Sequence, residues 1–186
     1  MKKILLSLAL ASSLSFAYTI DTKTVELNWT AFKLLSKEGV KGSFDDYKVS
    51  LNKTTCKSLT KMLVGSTVTI NSSSVDASNA LKNANISNFF FKKFSENTIS
   101  AKIVKMMEGN NLGTIELEVT MNKVTSKVPM QYTISKSGKF VATGVLDIMD
   151  FNLNSAYNSL ATQCESYHKG VTWTQVNIGF ELYINN

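Results

Sequence analysis

Residues 115–134 read IELEVTMNKVTSKVPMQYTI, and this stretch decides the fold class. Apolar side chains occupy every second position over 115–121 and again over 128–134, with polar residues between them. Such alternation is typical of strands that bury one face, because successive side chains of a strand point to opposite sides. Asn122-Lys123 lies between the two runs, where a tight turn is expected. The stretch therefore predicts two neighbouring antiparallel strands.

The same alternation recurs along the rest of the chain. Further strands are predicted at 25–31, 40–51, 62–71, 99–103, 139–153 and 176–184. The segments that break the pattern, and that we predict to be helical or irregular, are 53–61, 77–94 and 155–161. Eight antiparallel strands can bury an apolar face and lose their exposed edges by closing into a barrel. Periodicity alone does not distinguish such an all-β barrel from a sandwich.

The N-terminus has the layout of a secretory signal peptide. Lys2 and Lys3 precede an apolar run over 4–14, and Ser15-Phe16-Ala17 supplies small residues at the two positions that a signal peptidase reads. The run is shorter than the roughly 20 apolar residues of a membrane-spanning helix. We therefore expect cleavage after Ala17, export to the periplasm or the medium, and one mature domain over 18–186 that does not insert into a membrane.

Composition argues against specific nucleic-acid recognition. The net charge is +6 and falls to +4 when Lys2 and Lys3 are removed, and every cationic side chain is lysine, with no arginine in the chain. Arginine is the residue that reads guanine edges and clamps phosphates with two parallel hydrogen bonds. Scattered lysines without arginine favour an ordinary soluble surface, so no nucleic-acid partner is expected.

The two cysteines, Cys56 and Cys164, predict a disulfide, because an even cysteine count in an exported chain favours pairing. Free thiols and a metal pair are the alternatives. A zinc site is a poor match, because two cysteines and the single histidine, His168, fall short of four ligands. We expect no bound metal and no cofactor.

The sequence offers no convincing catalytic constellation. His168 lies in a polar stretch and no Gly-x-Ser-x-Gly motif accompanies it. Asp45-Asp46 is predicted at a turn, and Asp147 and Asp150 lie on one predicted strand with diverging side chains. These carboxylates are interpreted as solvated charges, so an enzyme is not expected. The aromatic run Phe89-Phe90-Phe91, with Phe94, either lines a cavity or caps the end of the barrel.

The chain resembles the YceI family, periplasmic lipocalin-like proteins described as polyisoprenoid-binding. The resemblance runs from Tyr18-Thr19-Ile20-Asp21 nearly to the C-terminus. Its other motifs include Val40-Lys41-Gly42-Ser43-Phe44 (V-x-G-x-F), Phe89-Phe90, and 144–151 (G-x-(I/L)-D-x-x-x-F). Lys82-Asn83 stands where the family usually has Arg-Asp, so a bidentate ion pair made by that arginine is lost or weakened. The cysteines resemble those of a cysteine-bearing branch.

The resemblance implies an eight-stranded antiparallel lipocalin-like barrel with short helical segments, often a homodimer, that holds an isoprenoid or other lipid-like chain. The strand phase then predicts the residues that line the ligand channel, and the resemblance favours Trp29, Phe90 and Phe151 in particular. The predicted lining comprises Trp29, Phe44, Phe90, Phe91, Ile103, Leu117, Val119, Tyr132, Ile148, Phe151 and Trp173. Two other functions stay open: a secreted interaction protein with a packed barrel, and an enzyme acting on an isoprenoid lipid.

Overall fold

The structure, a computed structural model, describes residues 17–185, so the predicted signal peptide lies outside the described residues except for Ala17. Antiparallel strands and short helices alternate irregularly along the chain. The strands are β1 (Tyr18–Ile20), β2 (Glu26–Lys33), β3 (Glu38–Phe44), β4 (Tyr47–Ser50), β5 (Thr55–Cys56), β6 (Thr67–Asn71), β7 (Val75–Asp76), β8 (Thr98–Glu108), β9 (Leu112–Met121), β10 (Val124–Ile134), β11 (Lys139–Asp147) and β12 (Gln175–Asn185). The helices are α1 (Leu59–Leu63), α2 (Ala80–Phe89), α3 (Asn154–Gln163) and α4 (Glu165–His168).

The sheet curls back on itself through one bent segment. Neighbouring strands follow the order β4-β6-β8-β9-β10-β11-β12-β2-β3-β7, while β1 pairs with β12 and β5. β3 pairs with β2 and β4 pairs with β6, and only Asp45-Asp46 separates β3 from β4. The all-β barrel-like fold is therefore confirmed. The described residues hold twelve strands rather than eight, because the predicted strand at 40–51 is bent into two and three very short strands, β1, β5 and β7, are added.

The bend leaves β4 and β2 without backbone hydrogen bonds between them, and a side-chain hydrogen bond links the two instead. No ladder joins β4 to β2 among the described strands. The Tyr47 hydroxyl instead donates to the carbonyl of Val25, just before β2, at 2.7 Å. Burial raises the pKa of Tyr47, so the hydroxyl keeps its proton and remains a donor. At the bend itself, Asp45 N donates to the Ser74 carbonyl at 3.0 Å.

The predicted turn at Asn122-Lys123 is confirmed and joins β9 to β10. Both residues have positive φ, 51° and 64°, which is the geometry of a two-residue hairpin turn whose twist matches that of the strands. The amide of Asn122 also donates to the Phe151 carbonyl at 3.1 Å, which ties this hairpin to the segment after β11. Helices are likewise confirmed within 77–94, as α2, and over 155–161, as α3.

Two predicted strands were too long. Residues 62–63, the first of the strand predicted at 62–71, belong to α1, where they are buried. The strand predicted at 139–153 ends at Asp147, whose carboxylate accepts a hydrogen bond from Met149 N and begins a 3-10 turn over Ile148–Phe151. Both errors have the same cause. A short apolar run has the same sequence pattern whether it is a buried strand or a buried helical turn.

One end of the barrel, here called the capped end, is closed by α1. Leu59, Met62 and Leu63 of this helix are almost fully buried. Inside the same end, Phe140 stacks on Tyr132 with ring centroids 4.7 Å apart and on Phe180 at 5.8 Å. The opposite end, here called the helical end, is formed by α2, α3, α4 and the turn between β2 and β3.

Candidate functional site: an apolar cavity inside the barrel

A cavity of about 260 Å³ runs through the interior of the barrel. On β12 its wall includes Val176, Ile178, Phe180 and Leu182, which alternate along one face of the strand. Six residue steps at about 3.4 Å each give this wall a length of about 20 Å. The cavity is therefore elongated along the barrel, and it extends from the capped end to α2 and α3 at the helical end.

The cavity explains why several inward-facing side chains are only half-buried. Ile178 and Phe180 follow the inward phase of β12 and still retain accessible surface, whereas Leu182 on the same face is 2 % exposed. Leu27 and Trp29, on the neighbouring strand β2, also line the cavity and are half-buried. Protein interiors are ordinarily close-packed, so a row of half-buried apolar residues facing inward indicates space for a ligand.

Four phenylalanines form one side of the cavity. Phe90 and Phe91 follow α2, Phe94 comes three residues later, and Phe44 ends β3. Their rings meet edge to face, with Phe90 5.2 Å from both Phe91 and Phe94, and Phe44 5.8 Å from Phe91. Phe44, Phe90 and Phe91 line the cavity, whereas Phe94 supports them from behind. Of the two alternatives predicted for this run, lining of a cavity describes Phe90 and Phe91, while Phe94 packs against them outside the lining.

The indole and phenol groups in the wall already have hydrogen-bond partners within the protein. Trp29 Nε1 donates to the Ser43 carbonyl at 3.1 Å, and Trp173 Nε1 donates to the Leu34 carbonyl at 2.7 Å. Tyr157 Oη donates to the Thr172 carbonyl at 2.7 Å. Among the described residues that line the cavity none carries a charged side chain. The wall therefore offers a bound molecule chiefly hydrocarbon surface.

Ser66 lines the cavity near the capped end, and its hydroxyl is also hydrogen-bonded within the protein. Its hydroxyl accepts a hydrogen bond from Asn52 N at 2.9 Å and donates to the Met62 carbonyl at 3.2 Å. Across the described residues, no buried side-chain nitrogen or oxygen is left without a partner. A polar ligand would have to break one of these bonds, and an unpaired buried group is costly. An apolar ligand could bind without breaking any of these hydrogen bonds.

His168 lies at the helical end, beside the cavity rather than in its wall. Its Nδ1 is 3.0 Å from Thr172 Oγ1, and burial lowers the pKa of the imidazole, with a further contribution from the charge of Lys33. Lys33 also bonds Glu38 at 2.9 Å and holds the pKa of that carboxyl below its ordinary value. Backbone hydrogen bonds hold the β2–β3 turn to the segment after α4, because Leu34 N donates to the Val171 carbonyl and Trp173 N donates to the Phe32 carbonyl, each at 3.1 Å.

The structure brings nine of the eleven predicted lining residues together around the cavity: Trp29, Phe44, Phe90, Phe91, Ile103, Leu117, Val119, Ile148 and Trp173. Tyr132 and Phe151 do not line it, which corrects the prediction for these two. Tyr132 is 2 % exposed because its ring stacks on Phe140, and Phe151 is fully buried in the 3-10 turn after β11. Both have inward-facing positions but meet packed side chains instead of the cavity.

Several lining residues were missed. Leu27, Ile178 and Phe180 share the alternating phase that predicted Trp29, so the signal was present in the sequence. Tyr157 and Leu160 carry no such signal, because they reach the cavity only through the way in which α3 packs on the barrel end.

The two cysteines lie at opposite ends of the barrel, and the predicted disulfide is therefore corrected. Cys56 pairs with Tyr18 in β1, which in turn pairs with the last residues of β12. Cys164 lies at the helical end, where its Sγ is 3.9 Å from Asn85 Nδ2. β12 has 11 residues, so its ends are about 35 Å apart, whereas a disulfide needs Cα atoms within about 7 Å. Both thiols are free.

Within 17–185, no group of three or more His, Cys, Asp or Glu side chains is arranged to hold a metal ion. No helix in that part of the chain combines the length and the apolar character needed to cross a membrane.

Solved structures similar to this chain support the fold. The chain is similar to BcnA of Burkholderia cenocepacia, with a TM-score of 0.63 and 14% identity, over 90% of this chain and 99% of that one. A polyisoprenoid binding domain from Saccharophagus degradans, implicated in plant cell wall breakdown, gives 0.63 and 14%, over 91% and 98%. The Campylobacter jejuni YCEI protein gives 0.60 and 18%, over 100% and 99%. None of the proteins of curated function matches this chain in sequence.

The family model is the more direct comparison, because it tests the sequence itself. The YceI-like domain model matches residues 18–183, nearly the whole described chain, and so includes all the strands that enclose the cavity. With the curled antiparallel sheet and its apolar interior, this match shows that the chain belongs to the family of YceI-like domains.

Proposed function

We propose that this protein binds a long apolar molecule of the isoprenoid or fatty-acyl class inside its barrel and carries it without changing it chemically. The observation that carries the proposal is the cavity wall, which has no charge among its described residues and whose buried polar side-chain atoms all have hydrogen-bond partners. Such a wall favours hydrocarbon, because apolar surface removed from water contributes about 25 cal/mol per Å².

The size and shape of the cavity favour a chain over a compact ligand. An apolar cavity of about 150 Å³ is large enough to hold benzene. The cavity found here, about 260 Å³, extends along the barrel and suits a narrow, elongated molecule. The similar Saccharophagus degradans structure is a polyisoprenoid binding domain, which supports an isoprenoid as the first ligand class to test.

The same features argue against the two alternative functions. A packed barrel used only for protein interactions would not leave inward-facing residues such as Ile178 and Phe180 half-buried. An enzyme would need an acid, base or nucleophile at the ligand, and the described lining residues provide hydroxyl groups only, on Tyr157, Ser66, Thr67 and Thr172. A homodimer, which the family resemblance implies, stays a prediction.

Extraction of the purified protein with organic solvent, followed by mass spectrometry, tests the binding function. We expect one apolar chain to be recovered in near-stoichiometric amount. Ala101→Phe places a ring in the cavity wall on β8 and should reduce the recovered amount several-fold, because the ring fills the ligand space. Ala84→Phe adds the same ring to an exposed position on α2 and serves as the control.

Two results would contradict the proposal. One is a wild-type extract that contains no apolar compound, and the other is an Ala101→Phe extract as rich as that of Ala84→Phe. Circular dichroism would first establish that both variants are folded. Incubation of the loaded protein and a chemical comparison of the ligand before and after would reveal any turnover.

We also propose that the protein acts outside the cytoplasm, where a carrier could move an apolar chain through water. The signal-peptide features of residues 1–17 support this location. Cell fractionation combined with N-terminal sequencing tests it. We expect the exported protein to begin at Tyr18, and an exported chain that begins at Met1 would contradict the predicted cleavage.

A further inference from the structure

The turn between β2 and β3 carries apolar residues where turns ordinarily carry polar ones. Lys37 N donates to the Leu34 carbonyl at 3.2 Å, and Leu34 and Lys37 have positive φ, 62° and 54°. Glycine, asparagine and aspartate suit such positions, whereas a bulky residue at positive φ is unfavourable. The chain follows that rule at Asn122 in the β9–β10 turn. A local rule broken at one site is a reason to look for a function there.

Other large apolar side chains are exposed on the elements that form the same end of the barrel as this turn. Leu35 is 84% exposed, Leu81 in the first turn of α2 is 58% exposed, and Tyr167 on α4 is 61% exposed. Leu34 N donates to the Val171 carbonyl at 3.1 Å, which joins the turn to the segment after α4. The charge of Lys82, next to Leu81, helps to lower the pKa of Glu38 at the start of β3. The three exposed side chains therefore share the helical end.

Exposed lysines accompany these apolar residues. Lys37, Lys82 and Lys169 are exposed, and none of them forms a salt bridge with another residue in the described part of the chain. Lys37 lies over the ring of Trp173, with its Nζ 4.3 Å from the centroid. Two acidic residues lie at the same end: Glu38, which is already held by Lys33 at 2.9 Å, and the exposed Glu165 of α4. The helical end thus combines aliphatic, aromatic and unpaired cationic side chains.

We propose that the helical end docks on the surface of an anionic phospholipid bilayer. Leu35 and Leu81 would enter the interface, Tyr167 would lie at the depth of the headgroups, and the lysines would meet the lipid phosphates. The cavity reaches this end of the barrel, where Ile86 and Tyr157 belong to its wall. Docking would bring the cavity next to the phase in which apolar chains reside. The docking residues lie outside the cavity, so this inference does not depend on the ligand class.

Flotation with vesicles tests the docking surface in the full exported chain. We expect binding to phosphatidylcholine vesicles that contain phosphatidylglycerol, little binding to phosphatidylcholine alone, and weaker binding as salt is added. The triple variant Lys37→Gln/Lys82→Gln/Lys169→Gln should bind about a hundredfold more weakly, since each lysine near the surface contributes about a factor of five. The double variant Leu35→Ser/Leu81→Ser should also lose binding, with no loss of folded structure because both side chains are exposed.

The capped end provides a matched control. Met107 and Leu112 are 60% and 58% exposed there, and Lys23, Lys105 and Lys136 are exposed lysines. Two control variants remove exposed apolar side chains or lysines from the capped end and should float like the wild type. They are Met107→Ser/Leu112→Ser and Lys23→Gln/Lys105→Gln/Lys136→Gln. The proposal is overturned if folded wild-type protein does not float, if it floats equally with both vesicle types, or if the control variants lose binding as much. A protein partner at this surface would give the first of those results.

Discussion

Trp29 lies directly against Gly42 on the neighbouring strand, and the two residues are partners in the β2–β3 ladder. A Cβ placed on Gly42 would be 2.2 Å from Trp29 Cζ2 and 2.5 Å from the carbonyl oxygen of Asp76. The glycine of the V-x-G-x-F motif is therefore required by close approach and not by its backbone angles. It lets the indole approach the β3 backbone closely, where the ring lines the cavity and its Nε1 donates to the Ser43 carbonyl.

The first prediction concerns this contact. Gly42→Ala should lower the free energy of unfolding by about 1–3 kcal/mol, because the added methyl must displace both a ring and a backbone carbonyl. Gly39→Ala, three residues earlier on the same strand, meets Thr30 Cγ2 at 3.0 Å and Phe32 Cε1 at 3.8 Å, both of them side-chain atoms, and should cost clearly less. Denaturant midpoints of the two variants check this, and equal losses would show that the indole moves aside freely.

The second prediction separates cavity lining from core. Phe151→Ala should cost about 3–5 kcal/mol of stability, because Phe151 is fully buried and its removal leaves a void. Phe90→Ala should cost the ligand-free protein less and should reduce the amount of retained apolar chain more, because Phe90 faces the cavity. Ligand content and the denaturant midpoint of delipidated protein are measured for both. If Phe90→Ala unfolds the ligand-free protein but its folded fraction keeps the ligand, Phe90 is a core residue.

The sequence was most informative where one face of a strand is buried along its whole length. On β9 the inward residues from Ile115 to Met121 are all buried, as their alternation predicts. The alternation was least informative at the bend at Asp45-Asp46 and in α1, because both depend on contacts with segments that are distant in sequence. A period of two identifies which way a side chain points, but not what it meets.

That limit explains the mixed outcome for the candidate site. Leu117 and Tyr132 both follow the inward phase of their strands, yet Leu117 faces the cavity and Tyr132 stacks on Phe140. The difference arises from position along the barrel axis, which the pattern of one strand does not encode. The predicted disulfide was wrong for a related reason, because the even count of cysteines carries no information on the distance between Cys56 and Cys164.

The third prediction follows from the positions of the cysteines. Denatured, unreduced protein should show two titratable thiols. A count of zero titratable thiols would mean that Cys56 and Cys164 form a disulfide after all. In the folded protein Cys164 should react slowly with thiol reagents at neutral pH, because burial raises the pKa of its thiol and the reactive thiolate is scarce. Cys164→Ser provides the control, since removing Cys164 should remove only the slow phase of labelling.

The fourth prediction concerns pH. Burial lowers the pKa of His168 below its ordinary value of 6.5, so the unfolded chain binds the proton more tightly than the folded chain does. The stability contributed by neutral His168 is therefore fully present above about pH 6.5 and is lost as the pH falls below it. His168→Gln should flatten the decline in denaturant midpoint between about pH 7.5 and pH 5. The same decline in both proteins would exclude His168 as its source.

The last prediction concerns the amide that replaces the family's aspartate at position 83. Asn83 Oδ1 accepts a hydrogen bond from Ala77 N at 2.6 Å, and its Nδ2 donates to Asp76 Oδ1 at 2.9 Å, which fixes the start of α2 to β7. The hydrogen bond from Asn83 Nδ2 also lowers the pKa of Asp76.

Asn83→Asp would keep the acceptor but would place a second carboxylate against Asp76, and two such groups resist being ionised together. The variant should therefore have a lower denaturant midpoint than the wild type at pH 7, and the gap should narrow as acid protonates the pair. Asn83→Ala removes both hydrogen bonds without adding charge, so its deficit should not shrink in the same way. A gap for Asn83→Asp that stays constant with pH would mean that the carboxylates turn apart, and that α2 is held at the cavity by its packing alone.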